Sequence, residues 1–280
     1  MARANISVDA AKQRAAQAVK PWVEQLARLG FAAKGVVYLV VGVLAVQVAM
    51  GRGGQTTDSR GALATIVDRP RGALLLGVVA VGLLGYALWR FVEAWIDPER
   101  KGTDASGLVT RAGYVAVGIS YGALALSALR LIQRQDGGQA GNVENWTARL
   151  LQQPFGRLLV GAIGVGIIAF FVVQVVRGFR GRFPEQVRAG ELQGAEAMWA
   201  RRLGIFGLAA RGVVFGLVGL FLIQAALKQD AGQAGGLDKA LQVLAQQTHG
   251  MVLLGIAAAG LAAYGCYMLI IARYRRRFVG

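Results

Sequence analysis

The sequence predicts an all-α, polytopic membrane protein with six transmembrane helices in three parallel two-helix repeats, for which a pseudo-threefold bundle is the natural arrangement and a linear row of hairpins the alternative. Three observations carry that prediction. The chain is 55% hydrophobic over 280 residues, with 16% charged residues and a mean hydropathy of +0.47. Its apolar residues gather in six blocks, at 35–51, 72–89, 112–129, 158–176, 212–227 and 250–272. A bilayer core takes roughly 17–25 such residues per helix. Lastly, a short polar loop occurs three times, as Gly53-Gly54-Gln55-Thr56, Gly137-Gly138-Gln139-Ala140 and Ala231-Gly232-Gln233-Ala234. In every copy the glutamine stands 17 residues ahead of a glycine that opens an apolar block, Gly72, Gly156 or Gly250. Chance resemblance between glycine-rich loops does not keep such spacing, so the chain reads as an internal triplication.

Taken in order, residues 1–21 form an alanine-rich, charged tail without an apolar core of signal-peptide length. Repeat 1 is expected over residues 22–100, repeat 2 over 101–184, repeat 3 over 185–275, and a short tail over 276–280. Pro21-Trp22 opens an amphipathic lead-in with Trp22, Leu26 and Leu29 at helical spacing, and places Arg28 and Lys34 at headgroup level. The first span runs from Gly35 to Met50. A shift of 177 lays Lys34–Met50 onto Arg211–Leu227 with 7 of 17 positions identical. A shift of 83 places Arg28, Gly30, Gly35 and Tyr38 on Arg111, Gly113, Gly118 and Tyr121. The even-numbered spans match as well: Gly77, Gly82 and Tyr86 correspond to Gly161, Gly166 and Phe170, then to Gly255, Gly260 and Tyr264.

Each repeat is therefore an odd helix, a polar loop carrying a short helix, and an even helix. The short helices are expected at Gly61–Val67, Trp146–Leu151 and Lys239–Ala245, two of them stopped by Pro70 and Pro154. The fifth apolar block is the shortest, but Gly207–Ala210 extends it past Arg211, whose side chain can snorkel to the interface. Gly118-x-x-x-Gly122 and Gly212-x-x-x-Gly216 set small residues on one helical face, which lets backbones pack closely in lipid.

The net charge of +16 does not point to nucleic acid, because the basic residues sit at the ends of the apolar blocks and not on one soluble face. Counted by side, 21 of the 31 Lys and Arg fall with the two termini and 10 with the glutamine loops. The positive-inside bias then predicts cytoplasmic N- and C-termini.

The repeat register groups the polar residues of the spans into layers. Gln47, Arg130 and Gln224 lie near the outer ends of the odd helices and are the candidate lining of a cavity. Lys34, Val117 and Arg211 lie at the inner ends. Arg90, Gln174 and Met268 lie near the inner ends of the even helices, with Glu93 as an ion-pair partner for Arg90. Gln55, Gln139 and Gln233 mark the repeated outer loop. Mid-depth positions are apolar, aromatic or small hydroxyls, which disfavours an open aqueous pore.

Catalysis has little to work with. Cys266 is the single cysteine and His249 the single histidine, so neither a metal-ligand set nor paired axial haem ligation is available. The glycine-rich loops lack the Lys-Ser/Thr of a phosphate-binding loop. No catalytic residue, cofactor or metal is expected. The expected partners are the lipid bilayer and either a membrane-protein partner or further copies of the chain, without nucleic acid.

The recurring Arg-x-Gly, Lys/Arg-Gly-Val-Val-Tyr/Phe, glycine-rich loop and Pro-x-Gly resemble the domain-of-unknown-function 1206 family, over roughly residues 22–275. The third unit departs from that pattern, with Thr248 in place of proline and the early arginine displaced to Arg202. The resemblance implies a bacterial inner-membrane protein of six spans and brings no activity with it. The expectation is a structural or interaction component of the membrane; the alternative is a gated transporter or permeation protein with a pathway along the repeat axis. A central cavity reached from one side and lined by Gln47, Arg130 and Gln224 would favour the alternative, and a dry, filled axis the first reading.

Overall fold

The computed structural model describes residues 20–53, 56–96, 105–134, 143–179 and 195–274. Among these the regular structure is helical: α1 Lys20–Ala49, α2 Ser59–Val67, α3 Gly72–Ile96, α4 Ala105–Ile132, α5 Val143–Leu151, α6 Gly156–Phe179, α7 Ala195–Lys228, α8 Leu237–Ala245 and α9 Gly250–Tyr274. A 3₁₀ turn, Ala231–Gln233, precedes α8. Six helices, α1, α3, α4, α6, α7 and α9, are long and apolar enough to cross a bilayer. The lead-in expected before the first span is not a separate piece, since α1 runs unbroken from Lys20. The short helices α2, α5 and α8 fall where the sequence placed them but start a few residues earlier. Asp58 explains this for α2: its carboxylate accepts from the Arg60 and Gly61 amides, both at 2.9 Å, and so caps two free N–H groups.

The triplicated glycine has one physical cause. In each copy the chain leaves the short helix through a tight turn closed by a backbone hydrogen bond, Gly72 N–H to Arg69 O at 2.7 Å, Gly156 to Gln153 at 2.8 Å and Gly250 to Gln247 at 2.8 Å. A Cβ at any of these glycines would run into the carbonyl oxygen of Ile66, Leu150 or Ala245. Only glycine fits.

The six spans pack in a row: α4 against α3, α3 against α1, α1 against α9, α9 against α7, and α7 against α6. The most extensive contact is α1 with α9, which joins the first unit to the third. Among the described residues no packed interface joins α4 to α6, the two spans of the middle unit. These are also the least covered of the six.

Two interface types make up the row. Between units, Gly35 meets the Gly265 carbonyl, Gly118 meets Phe91 and Ala87, and Gly212 meets Val175 and Phe171. Gly35, Gly118 and Gly212 are one repeat position, so this contact occurs three times. Within units, Gly30 of α1 abuts Tyr86 of α3, and Gly207 of α7 abuts Tyr264 of α9. Reciprocally, Gly82 faces Ala33 and Gly260 faces Ala210. The middle unit has the same residue types at Gly113 and Gly166, but a Cβ on either would meet nothing within 4 Å. Only part of the two small-residue motifs packs. Gly118 and Gly212 do, Gly122 touches one methyl at 3.9 Å, and Gly216 faces open space.

Candidate functional site

The close approach at Gly30 and Gly207 decides what lies between the helices. It brings Tyr86 and Tyr264 over the odd helices, one turn from the basic residue that opens each Gly-Val-Val run. Lys34 and Arg211 are those residues, and they are 4% and 9% exposed. Their side chains are enclosed and do not extend outward as snorkelling requires. That expectation failed because the glycines let tyrosines close over both cations before their side chains can extend outward.

The geometry is dense. Lys34 Nζ donates to the Tyr86 hydroxyl at 3.2 Å and lies 5.0, 5.3 and 5.4 Å from the ring centroids of Tyr86, Tyr121 and Tyr264. The Arg211 guanidinium donates from Nε to the Tyr38 hydroxyl and from Nη1 to the Tyr264 hydroxyl, each at 3.0 Å. Its carbon stands 4.8 Å from the Tyr264 ring and 4.9 Å from Phe171 of α6. Rings interlock around the cations edge to face, Tyr38 with Tyr264 at 4.9 Å and Tyr86 with Tyr121 at 4.7 Å. Arg90, on the next turn of α3, donates to the Tyr86 hydroxyl from Nε at 3.0 Å and Nη2 at 2.6 Å, and pairs with Glu93.

The electrostatics are lopsided. Glu93, 1% exposed, is the sole acidic residue within the six spans, and Arg90 engages it. Tyrosine hydroxyls and ring faces solvate Lys34 and Arg211, each such contact contributing about 0.5–2 kcal/mol, but they carry no opposing charge. A cation kept from water in a membrane interior is costly and marks a functional position. Chemically the cluster can hold and orient charge. It contains no nucleophile paired with a base.

The residues singled out from sequence lie elsewhere. Gln47, Arg130 and Gln224 are all exposed and stand apart from this cluster. Gln55 and Gln139 lie outside the described residues, as do residues 1–19 and 275–280. Gln233 is placed, in a loop held by its own polar groups. The Asp230 carboxylate accepts from the Gly232 amide at 2.9 Å and from Gln233 Nε2 at 3.0 Å. Those hydrogen bonds, the Gln233 one foremost, hold its pKa below the usual carboxylate range. Lys239 Nζ donates to the carbonyls of Gly232, Gln233 and Ala234. The Arg90–Glu93 pair is present as expected.

The cluster itself was not read as a unit from the sequence. Its signal was available, since the shift that put Lys34 on Arg211 also put Tyr38 on Phe215, and the match of the even spans put Tyr86 on Tyr264. What the register could not tell was that all of them converge.

Comparison with known proteins agrees with this layout. A family model described as Domain of Unknown Function (DUF1206) matches three times, at residues 29–97, 112–181 and 206–275. The chain is 38% identical over 255 residues to the Uncharacterized protein YxxB of Bacillus subtilis (strain 168), covering 91% of this chain and 92% of that protein. No solved structure matches.

Proposed function

The chain belongs to the DUF1206 family, and on that premise we propose that it is a non-catalytic integral component of the bacterial plasma membrane that works by holding other molecules in place. The observation that carries this reading is the filled centre of the helix row. Tyr38, Tyr86 and Tyr264 are buried there with Lys34 and Arg211, while Gln47, Arg130 and Gln224 are exposed and take no part in the cluster. An open aqueous pore needs a polar lining in contact with water; the polar groups here are closed over by aromatic rings. Both termini lie in the cytoplasm, as the distribution of basic residues supports. Its partners are lipid and a membrane protein or further copies of itself, and it does not engage nucleic acid.

Native mass spectrometry of the protein released gently from its own membrane tests this. The expected result is a co-released protein partner or a homo-oligomer carrying lipid. A bare monomer would overturn it.

One observation favours a second reading, a gated transporter. Buried cations within spans are the usual mark of an ion or substrate path, and Lys34 and Arg211 are such cations. Protein-dependent anion flux in reconstituted liposomes, lost in Arg211→Gln, would select this reading over the first.

A further inference from the structure

We propose that the Lys34–Arg211 cluster is a binding site for an oxyanion of the phosphate class, entered from the side through the gap between α4 and α6. Four features lead there. The first is charge: three buried or half-buried cations, Lys34, Arg90 and Arg211, face one carboxylate, Glu93, and Arg90 holds it. A buried charge is stabilised by an opposing charge and much less by neutral dipoles.

The second is donor chemistry. The tyrosine hydroxyls that accept from Lys34 and Arg211 each keep a proton to donate. Ammonium, guanidinium and phenol O–H together make the donor set that an oxyanion takes, with the guanidinium matching its geometry.

The third is the route. Tyr121 of α4 covers Lys34, and Phe171 of α6 covers Arg211. These two helices are the ends of the packed row, so the unpaired edges of the bundle stand on either side of the two cations.

The fourth is the repeat. In the outer units the gap position is filled, Gly30 by Tyr86 and Gly207 by Tyr264. In the middle unit Gly113 and Gly166 have nothing within 4 Å, and Phe170, the counterpart of those tyrosines, is 43% exposed. Of three equivalent seams in the chain, this is the open one, and Tyr121 and Phe171, from the two helices that border it, are the residues that cover the cations.

The phosphate can come from a lipid headgroup or from solution. Lys34 lies six residues after the start of the first span, roughly 9 Å along the helix. That depth is within reach of a headgroup. The proposal is independent of whether the protein assembles a complex or moves a solute.

The test is thermal unfolding of the full-length protein in two arms. In neutral detergent, inorganic phosphate is titrated against chloride at equal ionic strength. In phosphatidylcholine nanodiscs, the fraction of phosphatidic acid is varied. Saturable stabilisation in the first arm identifies a free anion, and in the second arm alone a lipid headgroup; either supports the site. Arg211→Gln and Lys34→Gln should weaken the apparent affinity at least tenfold, and the exposed control Arg130→Gln should not. Gly166→Trp, placed in the open gap away from the cations, should fold as the parent does and block entry. Absence of saturable stabilisation in both arms overturns the proposal, as does parent-like affinity in Arg211→Gln. Parent-like affinity in Gly166→Trp overturns the route.

Discussion

Gly207 lies against Tyr264 so closely that a Cβ added to it would stand 2.6 Å from the Tyr264 Cα and backbone nitrogen. No real Cβ tolerates that approach, so α7 and α9 are in contact because position 207 has no side chain. The same repeat position in the middle unit, Gly113, faces open space. One substitution at two equivalent sites should therefore have opposite effects. Gly207→Ala forces two backbones apart and should destabilise by about 1–3 kcal/mol. Gly113→Ala meets nothing and should be neutral or stabilising by up to about 1 kcal/mol, through helix propensity. Thermal unfolding in one detergent compares the two directly. Equal losses would mean that α4 and α6 do pack in solution.

The contacts between units allow a similar ranking. A Cβ on Gly118 would lie 3.0 Å from the far end of the Phe91 ring, which can turn aside, and 3.3 Å from the Ala87 carbonyl, which cannot. A Cβ on Gly42 would lie 2.5 Å from the Ala262 backbone nitrogen. Gly118→Leu should loosen the α3–α4 contact, and Gly42→Leu should disrupt the α1–α9 contact more severely, since no side chain there can yield. Size-exclusion profiles and melting temperatures should rank parent, Gly118→Leu, Gly42→Leu. A parent-like Gly118→Leu would show that this face is not a packing face.

The cation cluster makes its own demand. Tyr264→Phe removes the hydroxyl that accepts from Arg211 Nη1 while leaving the ring in place. A hydrogen bond to a charged group contributes about 1.5–3 kcal/mol, and leaving the donor buried without it costs in that range. Cys266→Ala on the same helix, at a half-buried single cysteine, serves as the comparison and should cost less. If Tyr264→Phe melts with the parent, water has access to Arg211 and the cluster is not dry.

Much of this fold was legible because membrane helices announce themselves locally. The six blocks and the loop-to-glycine spacing depend only on neighbours in sequence, and Gly72, Gly156 and Gly250 turned out to be required by turns within a few residues. The fate of Lys34 and Arg211 depended on something non-local. Each stands at the start of an apolar run, where a snorkelling reading is natural, and only the approach of α3 and α9 across Gly30 and Gly207 encloses it. Gln47, Arg130 and Gln224 share a repeat position, but position along a helix says nothing about azimuth, and all three are exposed in place of being enclosed with the cluster. The open middle unit was hidden as well, since Gly113, Gly166 and Phe170 match the residue types of the packed units.

The loop at Gln233 gives a pH dependence with a definite sign. Asp230 is held below the usual carboxylate range first by the Gln233 side chain and then by the Gly232 amide, with the charges of Lys228 and Lys239 acting in the same direction. A carboxylate with a depressed folded-state pKa adds stability that is fully present above its unfolded value, about 3.9, and is lost as pH falls through the lower folded value. Loop order, followed by the amide resonances of Gly232 and Gln233, should therefore be constant at neutral pH and collapse only in strong acid. Gln233→Ala removes the main cause, so the Asp230 carboxyl should titrate at higher pH and the loop should loosen earlier in an acid series. The carboxyl carbon shift of Asp230, followed in parent and variant, reads this directly. An unchanged midpoint would show that the Gly232 amide and the two lysines suffice without Gln233, and that the repeated glutamine serves another purpose in this loop.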